Sequence, residues 1–401
     1  MMVVDYVFKI VVFLQHLYCP INIDMTKRLA IIGNGTAGSL AVTHFFRYGD
    51  CEITWYYDPA IPPQAVGEGS NLVMPRALQA NLGFYHQDLE KINGTMKHGI
   101  LKSGWASGQE FFHGFMPPYS GYHFNAVGLQ KYILDKLSTE SKIKIIEQHV
   151  VADNVDSDFV MDCSGKPNDY TKYTVLNSIP VNSVHVNQCF WDYPRFQYTL
   201  TIARPYGWVF GIPLQNRCSI GYLYNSTINT LEEIQEDIQN IFEQYSLTPS
   251  TTTNSFTFKN YYRQQNFTDR IAYNGNASFF LEPLEATSIS TMDRIQRRAF
   301  DLWSGVKTLE QVNQDYDDLL KEIENVIMLH YYSGSIYDTD FWNMAVERGR
   351  INFEQAKLNP KFNQMIEMSK QYKHGDNYQQ DYGSWGVNAF YQNFINLGLY
   401  K

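Results

Sequence analysis

Residues 27 to 38 read Lys-Arg-Leu-Ala-Ile-Ile-Gly-Asn-Gly-Thr-Ala-Gly, an apolar strand entering G-x-G-x-x-G, and a helix-forming run from Ser39 to Arg47 follows. Each glycine has its own physical role. Gly33 allows a tight turn, Gly35 lets backbone N–H groups approach a pyrophosphate, and Gly38 allows helix to pack closely on strand. A second strand, Glu52 to Tyr57, ends at Asp58, twenty residues beyond Gly38, where a ribose-binding carboxylate is expected. Strand, glycine turn, helix, strand and acid together predict a dinucleotide site at Gly33, Gly35, Thr36, Ala37, Gly38 and Asp58, on a Rossmann-like α/β module.

Further along, Val66-Gly67-Glu68-Gly69-Ser70 forms a glycine-punctuated loop, and a helix is predicted from Pro75 to Leu82. Antiparallel-looking runs such as Arg195 to Ile202 and Ser219 to Tyr224 add a mixed sheet. After Ile289 the apolar spacing becomes helical through Leu302, Leu309, Leu319, Leu320 and Ile323. The chain therefore divides into an accessory or mis-assigned extension (1–24), an α/β domain (25–289) and a helical subdomain (290–401). The apolar run Val7 to Leu14 is too short to span a bilayer, and Met25 stands directly before the first strand.

Net charge −9 and the absence of a basic cluster argue against nucleic acid. Five cysteines, Cys19, Cys51, Cys163, Cys189 and Cys218, show neither C-x-x-C nor metal-ligand spacing, which favours a reduced, cytoplasmic setting without a disulfide framework. The 25 Phe, 29 Tyr and 7 Trp suit a core and an apolar pocket. Trp303, Trp342 and Trp385 are candidates to stack an aromatic ligand, with a place in the core as the competing reading.

The stretch Gly275-Asn276-Ala277-Ser278-Phe279-Phe280-Leu281-Glu282-Pro283-Leu284-Glu285-Ala286-Thr287 is the most telling. It resembles G-D-A-x-x-F-V-D-P-L-E-S-T-G of the flavin-dependent halogenases of the tryptophan halogenase type. Other pieces follow in the same order: the Gly67-Glu68 loop, the two-lysine strand from Thr95 to Trp105, Tyr122-His123-Phe124-Asn125-Ala126, and Asp162-Cys163-Ser164-Gly165. Trp208-Val209-Phe210-Gly211-Ile212-Pro213, His330-Tyr331 and Asp338-Thr339-Asp340-Phe341-Trp342 complete the series.

The resemblance implies the flavoprotein fold shared with aromatic hydroxylases. It also implies FAD, arriving as FADH2 from a separate reductase, with halide and O2 as co-substrates and an indole- or phenol-type aromatic as acceptor. No membrane partner is implied. It carries flavin contacts onto Gly67, Glu68, Asn276 and Pro283, halide contacts onto Thr287 and Ser288, and a barrier between flavin and substrate onto Trp208 and Phe210. Glu285 matches the family glutamate that positions the oxidant or takes the arenium proton.

The family lysine is expected on the helix after the Gly67-Glu68 loop, where ungapped spacing places Arg76. A gapped alignment moves it to Gln79 or Ala80, and Lys97 is the alternative amine from the adjoining strand. Guanidinium stays protonated and donates hydrogen bonds but is a poor nucleophile. Asn276 stands where the family has aspartate, Ser288 where it has glycine and Phe210 where it has tryptophan. A flavin monooxygenase on the same scaffold, or a relative that binds flavin without chemistry, are the alternatives these departures leave open.

Overall fold

The computed structural model describes residues 27–61, 68–376 and 378–400. The expected extension 1–24 and the expected flavin contact Gly67 lie outside the described residues. A parallel sheet runs, edge to edge, through Ile271–Tyr273, Phe159–Asp162, Arg28–Ile32, Glu52–Tyr57 and Ile143–Glu147. Arg28–Ile32 is its centre, and residues 29 to 32 are buried, as a strand covered on both faces requires. The helix Thr36–Tyr48 leaves this strand through Gly33. A Cβ on Gly38 would stand 2.0 Å from the Gly33 carbonyl oxygen, so only glycine lets helix and turn approach.

A seven-stranded mixed sheet follows, ordered Thr248–Thr257, Ser183–Phe190, Arg217–Tyr224, Gly207–Pro213, Thr199–Arg204, Gly99–Ser103 and Phe111–Gly114. The run expected from Arg195 becomes a strand only at Thr199; the run expected from Ser219 starts two residues earlier, at Arg217. Beyond Ile289 the chain is helical as expected: Thr287–Trp303, Leu309–Ser333, Asp340–Ala356, Pro360–Gln371 and Val387–Asn396. Thr308 and Thr339 cap two of these helices through their hydroxyls. One element was not anticipated, a short hairpin of Asp381–Tyr382 with Trp385–Gly386, which delivers the last helix to the sheet edge. There the Gln392 side chain bonds both Gly114 backbone groups.

One large apolar cluster spans both sequence halves, from Leu29 and Phe45 to Phe362 and Phe394. Cys51, Cys163, Cys189 and Cys218 are buried and free. Among the described residues no helix is long and apolar enough to cross a membrane.

Where the chain re-enters after Gly67, the buried Glu68 is clamped. Arg217 reaches its two carboxylate oxygens at 2.6 and 2.9 Å, and Ser219 Oγ donates at 3.0 Å. Its carbonyl accepts from Phe124 N at 2.9 Å. The Glu68 carboxylate thus anchors this residue to the Arg217–Tyr224 strand. Arg217→Met strands a buried carboxylate and is expected to cost about 3–5 kcal/mol in urea denaturation, well above a surface arginine substitution; a loss under about 1 kcal/mol would remove the anchoring role.

Candidate active site

The candidate dinucleotide crevice lies at Gly33, Gly35, Thr36, Ala37 and Gly38, at the start of the first helix. Gly35 is its N-cap, with no side-chain cap and no acidic residue in the first turn, so the N-terminal N–H groups keep their capacity for an anion. A Cβ placed on Gly35 or on Gly165 would meet nothing within 4 Å, which marks an open cradle on both sides of the turn. Gln130 Nε2 donates to Thr36 Oγ1 at 3.3 Å while its Oε1 is buried without a partner. Asp58 sits at the end of the second strand, accepting from Ala60 N at 2.8 Å with His149 Nδ1 at 3.1 Å.

The Gly275–Ala277 turn abuts this crevice, since a Cβ on Gly275 would lie 2.7 Å from Ala37 Cβ. Asn276 gives its carbonyl to Tyr261, and its side chain has no hydrogen-bond partner among the described residues. Pro283 is exposed nearby. Free N–H groups, an open glycine cradle and an orphaned acceptor fit a bound dinucleotide.

Further along the same segment, the turn Leu284–Ala286 holds Glu285 at φ 64° and Ala286 at φ 53°. Two successive non-glycine residues in the left-handed region cost roughly 1–2 kcal/mol each, and the surroundings hold them there. They turn the Glu285 side chain inward, where it is 3% exposed. Its carboxylate pairs with Lys102 from the Gly99–Ser103 strand, with His113 Nδ1 at 3.4 Å and with His330 Nε2 at 3.3 Å. Lys102 Nζ also donates to His330 Nε2 at 2.7 Å and to Asn393 Oδ1.

The network fixes the tautomers. His330 Nε2 accepts from Lys102, so Nδ1 carries the proton and donates to Val326 O at 3.2 Å. Burial and the Lys102 charge pull the His330 pKa down to about 4, which keeps it neutral. Burial alone would raise Glu285, but the Lys102 charge and the His113 hydrogen bond outweigh it and hold the carboxyl well below its usual range. Trp385 covers the group, its ring centroid 5.6 Å from Lys102 Nζ and 5.5 Å from the His330 ring.

Lys97 is the second buried lysine, 1% exposed. Burial lowers its pKa to about 8, against the attraction of Glu285. Among the described residues its ammonium has no hydrogen-bond or ion-pair partner, only the Phe115 ring at 5.7 Å. A buried amine that loses its proton near neutral pH is both donor and nucleophile.

Glu282, three residues before Glu285, has the opposite environment. Burial pushes its pKa up to about 8, and its Oε2 accepts from Tyr331 Oη at 2.7 Å and Trp208 Nε1 at 3.2 Å. Trp208 is 1% exposed and stands in edge-to-face contact with Phe210, ring centroids 6.4 Å apart.

Arg76 is not brought to this cluster. It is exposed on the Val73–Leu82 helix, its guanidinium 4.1 Å from the Tyr119 ring centroid; the amine paired with Glu285 is Lys102, and Lys97 is the other buried amine that feels the Glu285 charge. Gln79 and Ala80, on the same helix, are also exposed. Ser288 lies inside the Thr287–Trp303 helix and needs no positive φ; the left-handed residues are Glu285 and Ala286. Thr287 opens that helix with its hydroxyl buried and unpartnered. Of the tryptophans, Trp303 packs on Phe45 and Phe300, and Trp342 donates to Arg204 O, both within the core. Trp385 alone of the three covers Lys102 and His330. Sequence reasoning assigned no role to His113, Asn393, Lys102 or Glu282; Lys102, Glu282 and His330 stood within the matched family pieces, while nothing in the sequence marked His113 or Asn393.

A Rossmann-like parallel sheet, an open glycine turn and a strained acidic turn paired with a buried lysine define a mixed α/β protein with the elements of a dinucleotide-binding module. The sequence profile described as "Tryptophan halogenase" matches residues 28–152 and 118–399, and the chain belongs to that family. It is 25% identical over 166 residues to tryptophan 7-halogenase RebH of Lentzea aerocolonigenes, 40% of this chain and 31% of that protein. Tryptophan 6-halogenase ThaL of Streptomyces albogriseolus is 24% identical over 155 residues, 37% of this chain and 29% of that protein. Each match thus spans about a third of the relative's length. Among solved structures, Xcc4156, a flavin-dependent halogenase from Xanthomonas campestris, superposes with a TM-score of 0.77 at 18% identity, covering 93% of this chain and 89% of that one. BrvH, a flavin-dependent halogenase from Brevundimonas sp. BAL3, gives 0.75 at 19% identity, covering 94% and 91%.

Glu282 yields a pH test. Glu282 rises from 4.5 to about 8 on folding, so between those values the native state binds more protons and its stability falls as pH rises. His330, lowered from 6.5 to about 4, acts only below its unfolded value. From about pH 6.5 to 8, Glu282→Gln should therefore flatten a loss of up to about 1.4 kcal/mol per pH unit, read from urea midpoints. An unchanged slope would mean that Glu282 is ionised at neutral pH.

Proposed function

We propose that this chain is a flavin-dependent halogenase that acts on an electron-rich aromatic of the indole or phenol type. The observation that carries the reading is the sealed pairing of Glu285 with Lys102 beside the unpartnered amine of Lys97, in a chain of the tryptophan halogenase family. FAD would be held by Gly33, Gly35, Thr36, Ala37, Gly38, Asp58 and Asn276, with Glu68 fixed by Arg217. Reduced flavin, delivered by a separate reductase, supplies hypohalous acid from O2 and halide when bound.

The protein then separates, conducts and aims. The N-terminal N–H groups of the Thr287–Trp303 helix and the unpartnered Thr287 hydroxyl suit a halide, with Ser288 in the same turn. Trp208 and Phe210 stand as the aromatic barrier. Lys97 either donates a hydrogen bond to the oxidant or, as free amine, takes the halogen on nitrogen. Lys102 acts differently, by holding Glu285 ionised. The Glu285 carboxylate stabilises the cationic ring formed by halogen addition and accepts its proton. Neutral His330 orients Lys102 without competing for that proton.

Residues 290–401 serve as the substrate cover. Trp385 and Asn393 lie directly against Lys102, so an aromatic ring reaches Glu285 only when this segment makes room.

Glu285→Gln and Lys97→Met are each expected to lower halogenated product by about 100-fold or more, with flavin binding and peroxide release retained. Arg76→Ala should leave the yield unchanged. The assay is mass spectrometry of indoles and phenols incubated with protein, reduced flavin, oxygen and chloride, bromide or iodide. Undiminished halogenation in Glu285→Gln, or a halide-independent gain of one oxygen, would overturn the reading.

A further inference from the structure

A cavity of about 600 Å³ opens beside the Tyr173–Val175 strand, and none of its lining residues belongs to the Glu285 cluster or to the glycine cradle. Three cations reach it from separate elements: Lys166 from the loop after the Phe159–Asp162 strand, Lys259 from beyond Thr248–Thr257, and Arg348 from the Asp340–Ala356 helix. No aspartate or glutamate lines it, although acids outnumber bases 41 to 32 in the chain.

These cations are unspent. Among the described residues, Lys166 and Arg348 have neither an ion-pair nor a hydrogen-bond partner. Burial pulls the Arg348 guanidinium below its usual range, and no carboxylate offsets it. Lys259 Nζ sits 4.5 Å from the Tyr170 ring centroid, and the Tyr170 hydroxyl is buried without a partner.

Three of the lining asparagines are already engaged within the protein. Asn260 bonds Val181 O and Glu282 N, Asn225 bonds Pro180 O, and Asn182 is engaged with Asn225 and Ser226. What remains is a set of donors: a guanidinium fork, two ammonium groups and a phenol. Lys166 and Lys259 are exposed and Arg348 is half-buried, and an anion entering among them meets three positive charges and no carboxylate. A guanidinium fork with further donors matches the several oxygens of a phosphate better than the two of one carboxylate. Leu176, Val181 and Phe258 add an apolar wall.

We propose that this cavity binds an organic phosphate, its phosphate among Lys166, Lys259 and Arg348 and its apolar body along Leu176, Val181 and Phe258. The site does not depend on the halogenase reading; Lys166 directly follows Gly165 of the glycine cradle, so the FAD arm of the test distinguishes this cavity from the dinucleotide crevice.

Calorimetric titration with phenyl phosphate, inorganic phosphate and citrate, each with and without saturating FAD, tests it. Phenyl phosphate should bind saturably in both conditions, about tenfold more tightly than inorganic phosphate because its ring is buried. Arg348→Gln and Lys259→Gln should each weaken it by about tenfold, with melting temperature and FAD affinity unchanged. Binding that FAD excludes would assign the anion to the crevice and overturn the proposal. So would insensitivity to both variants, or no saturation at millimolar phenyl phosphate. Citrate binding as tightly as phenyl phosphate would overturn the choice of phosphate.

Discussion

The pairing of Glu285 with Lys102 inside a closed core is the constraint around which the rest is arranged. Removing two charges from water costs several kcal/mol each, and their attraction repays this only with good geometry and further hydrogen bonds. The structure supplies them from five separate elements: the strained turn at Glu285, two neighbouring strands through Lys102 and His113, a long helix through His330, and the last helix through Asn393. An apolar pair of similar volume would fill the same space at lower cost. Retaining an ion pair here, with two residues in left-handed backbone to aim it, therefore speaks for chemistry rather than stability.

Glu282 and Glu285 stand three residues apart in one turn and are driven in opposite directions. Glu285 faces an ammonium and two imidazoles and stays ionised; Glu282 faces only a phenol and an indole, and burial keeps its proton on near neutral pH. The difference is one of partners, since both side chains are buried. The ionised member is left able to accept a proton. The protonated member ties Trp208 to Tyr331, and so joins the sheet to the helical region without adding a second negative charge.

Much of the fold was legible because its signals are local. The glycine turn, the apolar strand and Asp58 declare the dinucleotide module within about thirty residues, since each glycine answers a steric demand of the turn itself. Helical periodicity after Ile289 was equally readable. The site was less so. Lys97 and Lys102 are five positions apart, an odd spacing that in one continuous strand would send them to opposite faces. A break at His98 separates Thr95–Lys97 from Gly99–Ser103 and allows both to be buried near Glu285. Arg76 drew attention through spacing alone, and its helix turns it to solvent. His113 and Asn393 come together across 280 positions of sequence, with nothing local to announce them.

The division between the two lysines follows from what each amine already holds. Lys102 has its donors committed to Glu285, His330 and Asn393, so any reaction at its nitrogen would first break the pairing that keeps Glu285 ionised. Lys97 has no such commitment, and burial brings its pKa to about 8, where the free amine is accessible. One amine sets the charge state of the acid and the other remains available to an oxidant. A single lysine could not do both, because the proton that secures the carboxylate is the one a nucleophile must lose.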